Sequence, residues 1–189
     1  PEALRLLSLL QPLSSVWRSR FNDLPSGLEN LREQKSVKMW PAAIPEWASM
    51  TLSPNSETNL LTQTRPVVFM SPGSVWATKK WKEEHFAKLA IQLLDRGYLV
   101  TLTGSPSEQD ICERIELAVK SPNLRNICGK TSLQEMVKLF QRADWVIAND
   151  SSPIHLAALA GARTVALFGP TTLSLGYRPW NDKARVAQI

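Results

Sequence analysis

Cysteine, histidine and glycine are scarce in these 189 residues: two, two and eight. Two thiols, Cys112 and Cys128, without CxxC spacing and without histidines placed to help them, leave no ligand set for a structural metal. They read as reduced, buried thiols of a cytoplasmic protein. The few glycines never fall into GxGxxG or GxxxxGK[ST], so neither the dinucleotide fingerprint nor the P-loop is present. No apolar run approaches the ~20 residues that cross a bilayer, and the first residues show no signal-peptide pattern. Dense basic runs, a helix-turn-helix phrase and the aromatic signature of RNA-binding sheets are missing, so nucleic acid is not an expected partner. The charge alone would allow it: 22 Lys+Arg stand against 17 Asp+Glu, +5 overall, which suits phosphate or anionic lipid equally well.

What is present is 43% hydrophobic residues, enough for one core and therefore one domain, with or without an appendage. Residues 1–64 carry mixed signals. "EALRLLSLLQPL" has leucines at helical spacing, but Pro25, Pro41, Pro45 and Pro54 punctuate a polar stretch that ends in the linker-like "SPNSETNLLTQTRP". Trp17, Trp40 and Trp47 there are large apolar surfaces that need cover. The expectation is a remnant of a preceding domain plus an interdomain linker over 1–64, and a domain over 65–189, both ends reading as cuts within a longer chain.

From Arg65 the pattern is regular. "PVVFM" reads as a strand, and "EEHFAKLAIQLLDRG" puts Phe86, Leu89, Ala90, Leu93 and Leu94 on one helical face before Gly97 ends it. "YLVTLTG" is the next strand, and Ser107 is placed to cap the helix "EQDICERIELAVK". A short strand near Leu124–Ile127 leads to "SLQEMVKLFQRA", where Ser132 and Glu135 have capping-box spacing. "DWVIAN", the helical "HLAALAG" and "TVALFG" complete the series. Strands alternating with helices over short connections predict a Rossmann-like α/β fold, a mostly parallel sheet with helices on both faces.

In such a sheet ligands bind beyond the carboxyl ends of the strands. The loops there are "SPGSVWATKK", "TGSPSE", "GKTS", "NDSSPIH" and "FGPTT". Any one of them is accounted for as a turn made of Gly, Ser, Thr and Pro. Together they line one edge with small residues, hydroxyls, helix N-termini and two lysines, a combination suited to phosphate. Trp76 and Trp81 read as packing residues.

"PGSVWATKKWKEEHFAKLA", followed some seventy residues later by "NDSSPIHLAALAGARTVALFGPT", resembles the C-terminal half of glycosyltransferase family 9, the ADP-heptose:lipopolysaccharide heptosyltransferases. The likeness covers about residues 65–175 and keeps the order of the intermediate phrases "GSPSE" and "GKTSLQE". It implies a GT-B architecture, two Rossmann-like domains facing across a cleft, with the nucleotide-sugar donor on the second. By that resemblance Lys79 is the phosphate-binding lysine, Ser74 helps hold the diphosphate, Glu108 is the ribose ligand and Thr131 lies against adenine. Asp150, Ser151, Ser152 and His155 match the motif Asp-[Ser/Thr]-Gly-x-x-His beside the diphosphate and donor sugar. Ser152 departs from it, standing where glycine is usual; if that position needs positive φ or very close approach of the sugar the side chain carries a cost, and otherwise it serves as an N-cap before Pro153.

The implied reaction moves heptose from ADP-heptose to the lipopolysaccharide inner core with inversion. No cofactor and no metal are implied; the partners are the donor, the core acceptor and, peripherally, the cytoplasmic face of the inner membrane. The general base is implied to be an aspartate of the N-terminal domain, so no catalytic residue is assigned within these 189. Two other readings remain at this point: a GT-B enzyme using UDP or GDP sugars, and a noncatalytic nucleotide-binding or interaction domain.

Overall fold

The computed structural model describes residues 65–171, 178–179 and 181–189. The expectations for residues 1–64, with their three tryptophans, lie outside the described residues. Six strands, β1 (Val67–Ser71), β2 (Leu99–Leu102), β3 (Leu124–Asn126), β4 (Trp145–Asn149), β5 (Thr164–Phe168) and β6 (Ala184–Gln188), form one sheet in the order β3-β2-β1-β4-β5-β6. Every pairing is parallel. Among the described residues four α-helices accompany them: α1 (Glu83–Asp95), α2 (Gln109–Val119), α3 (Leu133–Gln141) and α4 (Ser152–Leu159).

All residues of β1, β2, β4 and β5 are buried, as central strands covered on both faces must be. The two-residue repeat sends Val68 and Met70 to one face and Val67 and Phe69 to the other. Against the first face α1 and α2 lay Phe86, Leu89, Leu93, Cys112 and Ile115. Against the second, α3 and α4 lay Met136, Val137, Phe140 and Ala157, with Phe140 meeting Phe69 edge-on at 5.5 Å between ring centroids. The helical stripes read from the sequence are these contact faces. Both thiols are free and buried, and burial raises the pKa of each.

Helix ends follow local chemistry. Gly97, at φ +87°, closes α1: its N–H donates to Leu94 O (2.9 Å) and that of Tyr98 to Leu93 O (3.1 Å), the paired bonds of a Schellman motif. Ser132 and Glu135 form the expected capping box, the Ser132 N–H and Oγ donating to Glu135 Oε2, and these bonds hold the Glu135 carboxyl below its usual pKa. The cap expected at Ser107 lies elsewhere. Pro106 turns the chain into a 3-10 segment, Pro106–Glu108, ahead of α2, so the capping box falls two residues earlier, on Ser105 and Glu108. Ser107 Oγ bonds Ser105 Oγ instead. The strand β6 is an addition to the expected set: one of its five residues, Ala187, is buried, and five registered positions pair it to β5.

Candidate functional site

Chain order reverses between β1 and β4, so the loops leaving these neighbouring strands diverge and open a crevice at their carboxyl ends. Its volume is about 810 Å³. Four of the five small-residue loops line it, those following β1, β2, β3 and β4. The loop after β5 supports the first from below: a Cβ at Gly169 would stand 2.7 Å from the Thr78 carbonyl oxygen, so only glycine lets the two backbones approach this closely.

All eight residues singled out from the sequence line this crevice. Ser74 is buried at the mouth of β1. Lys79 ends a 3-10 turn, Ala77–Lys79, and reaches across so that Nζ lies 2.6 Å from Asp150 Oδ2 at the mouth of β4. Asp150 is 4% exposed, a carboxylate that needs such a counter-charge because burial strips it of water. Lys80, the adjacent lysine, is exposed and outside the crevice lining.

After β2, Glu108 Oε2 accepts from the N–H (2.7 Å) and Oγ (2.9 Å) of Ser105. The rest of that carboxylate lies over Gly73, where any Cβ would collide with it. Gly73 thus lets the first two loops close on each other. After β3, Thr131 Oγ1 is buried with no hydrogen-bond partner, beside an apolar wall of Leu133, Met136 and Phe140.

Beyond β4, Ser151 is the N-cap of α4 and Ser152 its first residue, followed by Pro153. This corrects the N-cap expected at Ser152. Among the described residues Lys120 is the single non-glycine at positive φ, so Ser152 adopts ordinary helical backbone and no positive φ calls for glycine there. His155 lies one turn further along α4. Desolvation lowers its pKa below the usual imidazole value and the Asp150 charge pulls it partly back. A depressed histidine favours the folded state above the ordinary imidazole value, and that contribution is lost as pH falls through the depressed one.

Two features were not anticipated. Trp81 packs as expected, 4% exposed and edge-on to Phe86, but Trp76 is 67% exposed on the crevice rim beside Val75, so it is not a packing residue. Asn149 and the Ser71–Thr103 hydroxyl pair (2.7 Å) are buried polar groups at strand ends, the one signal in the sequence being a polar residue closing an apolar run.

A doubly wound parallel sheet in this order, with a lysine, buried hydroxyls and a helix N-terminus gathered at its switch point, defines a Rossmann-like domain with a polar crevice at that point. The model of glycosyltransferase family 9 (heptosyltransferase) matches residues 33–188, and the chain belongs to that family. It is 34% identical over 158 residues to lipooligosaccharide heptosyltransferase 2 of Haemophilus influenzae, covering 81% of this chain and 45% of that one. Lipopolysaccharide heptosyltransferase 2 of Escherichia coli K12 is 34% identical over 133 residues, 68% of this chain and 38% of that one. The solved structure of E. coli ADP-heptose lps heptosyltransferase II superposes with a TM-score of 0.65 at 30% identity, over 87% of this chain and 47% of its own. The chain thus spans less than half the length of these relatives. Among the described residues no helix is long and apolar enough to cross a membrane.

Proposed function

We propose that this chain is the donor-binding half of a GT-B heptosyltransferase that transfers heptose from ADP-heptose to the lipopolysaccharide inner core, with inversion. The observation that carries the reading is the Lys79–Asp150 pair, held at 2.6 Å across the switch point beside Ser74 and the start of α4. Breaking the bond from sugar to diphosphate leaves negative charge on the departing ADP. The Lys79 ammonium and the positive dipole end of α4 are the groups that stabilise it, with no metal required in this reading.

The other residues take their places along the donor. Glu108 accepts from the ribose hydroxyls through the oxygen that Ser105 leaves free, while Thr131 and the apolar wall of Leu133 and Met136 receive adenine. Ser151, Ser152, His155 and Asp150 border the diphosphate and the heptose. As the diphosphate arrives, the depressed imidazole of His155 gains a reason to protonate, adding a second positive charge where the first is shared with Asp150. The general base that deprotonates the acceptor hydroxyl belongs, on this reading, to the domain across the cleft. On this reading the work is done at the cytoplasmic face of the inner membrane, as a peripheral contact.

Thermal denaturation with ADP, UDP and GDP tests the reading. A nucleotide at ~100 times its dissociation constant adds roughly 2.7 kcal/mol to stability. ADP is expected to raise the melting temperature well above the other two. Equal shifts would remove the adenine assignment, and no shift with any of them would remove the nucleotide.

A further inference from the structure

The loop that carries Ser74 and Lys79 leaves the sheet at Pro72 and returns at Trp81, and its middle, Val75–Thr78, is exposed. Within it, Lys79 N–H donates to Trp76 O (3.0 Å) and Lys80 N–H to Ala77 O (3.2 Å), which closes the small 3-10 turn but not the neck. The neck is closed by a side chain from another strand. Asn149, the last residue of β4 and 0% exposed, accepts from Trp81 N–H through Oδ1 (3.0 Å) and donates through Nδ2 to Pro72 O (2.7 Å) and, at 3.4 Å, to Gly73 O. The partners dictate the orientation of the carboxamide, since an N–H faces one end and carbonyls the other.

We infer that Asn149 is a positioning residue for anion binding: one buried carboxamide ties both ends of the loop to β4, and so fixes how far Lys79 stands from Asp150. The carboxylate belongs to the next residue in the chain, so both sides of the ion pair are referenced to the same strand end. Ser151 Oγ, donating to Gly73 O at 3.4 Å, reinforces the same end of the neck. The Asn carboxamide offers a donor and an acceptor on one short planar head, and Gln is a methylene too long for a site this closely packed. Asn149→Asp keeps the shape and the acceptor for Trp81 but turns the donor into an anion facing two carbonyl oxygens.

The inference rests on the nucleotide reading above, and a double-mutant cycle separates the two. ADP is titrated calorimetrically into the wild-type chain, Asn149→Asp, Lys79→Ala and the double variant. Asn149→Asp is expected to weaken ADP about tenfold, the scale of one lost buried hydrogen bond, and to cost less than about threefold where Lys79 is already absent. Unchanged affinity, or the same loss in both backgrounds, overturns the positioning role. If the wild-type chain binds no ADP, the nucleotide reading fails, and the neck is tested without ligand: in Asn149→Ala the Trp81 amide should exchange with solvent about tenfold faster while β5 amides keep their rates. An unchanged Trp81 rate overturns the inference in that case too.

Discussion

Two adjacent lysines differ here because a 3-10 turn separates their directions. Lys79 ends the turn facing Asp150, while Lys80 is its exposed C-cap beside buried Trp81. A charge-assisted contact is worth ~1.5–3 kcal/mol, so Lys79→Ala should weaken ADP tenfold or somewhat more. Lys80→Ala should change it by much less, since an exposed charge acts through screened water. Calorimetric titration of ADP into both variants decides the matter: equal losses would point to a diffuse positive patch, and no loss at Lys79 would remove it from the site. The role of Lys79 came from the family resemblance, and the alternation of strands and helices had already put its loop at the carboxyl edge of the sheet. The Asn149 clamp was not legible. Its partners lie at Pro72, Gly73 and Trp81, far away in sequence, and nothing local tells a buried asparagine that closes a strand from one that opens a turn.

At the scale of elements, the 3.6-residue stripes of α1 and α3 and the continuous apolar run of β1 depend on nearest neighbours along the chain, and these were legible. Boundaries that depend on backbone φ were harder. Ser107 and Ser105 both precede acidic and apolar residues, and only Pro106, which suits the first position of a helical turn, selects Ser105 as the cap. The edge strand β6 was illegible for a different reason: it is specified by pairing to β5, with little burial of its own. The cap has a measurable consequence, because Ser105 also orients Glu108. Ser105→Ala should cost about 1 kcal/mol in urea denaturation, the usual scale for a lost cap, whereas Ser107→Ala should stay within about 0.5 kcal/mol. Released from the Ser105 hydroxyl, Glu108 should also hold ribose less well, so ADP affinity should fall in the first variant and not in the second. Similar stability losses in both would return the cap to Ser107.

Among the described residues the sheet carries a core on each face, and the one that holds Phe140 borders the crevice. Leu89 on α1 and Phe140 on α3 are each 0% exposed, packed on opposite faces. Truncation of either leaves a cavity, costing about 2–5 kcal/mol for Leu89→Ala and about 3–5 kcal/mol for Phe140→Ala. Their coupling to ligand should differ. Phe140 lies at once under Phe69 of β1 and in the crevice wall with Met136, so its loss loosens the surface assigned to adenine; Leu89 lies across the sheet and touches none of it. A ligand stabilises a fold only by its affinity for the native state, so the melting-temperature increment from saturating ADP is a readout of the site rather than of the core. Leu89→Ala should therefore melt earlier yet gain nearly the wild-type increment from ADP, while Phe140→Ala should melt earlier and gain clearly less. Equal increments would mean that the crevice wall keeps its shape without Phe140, and that the adenine surface is held by the loops alone.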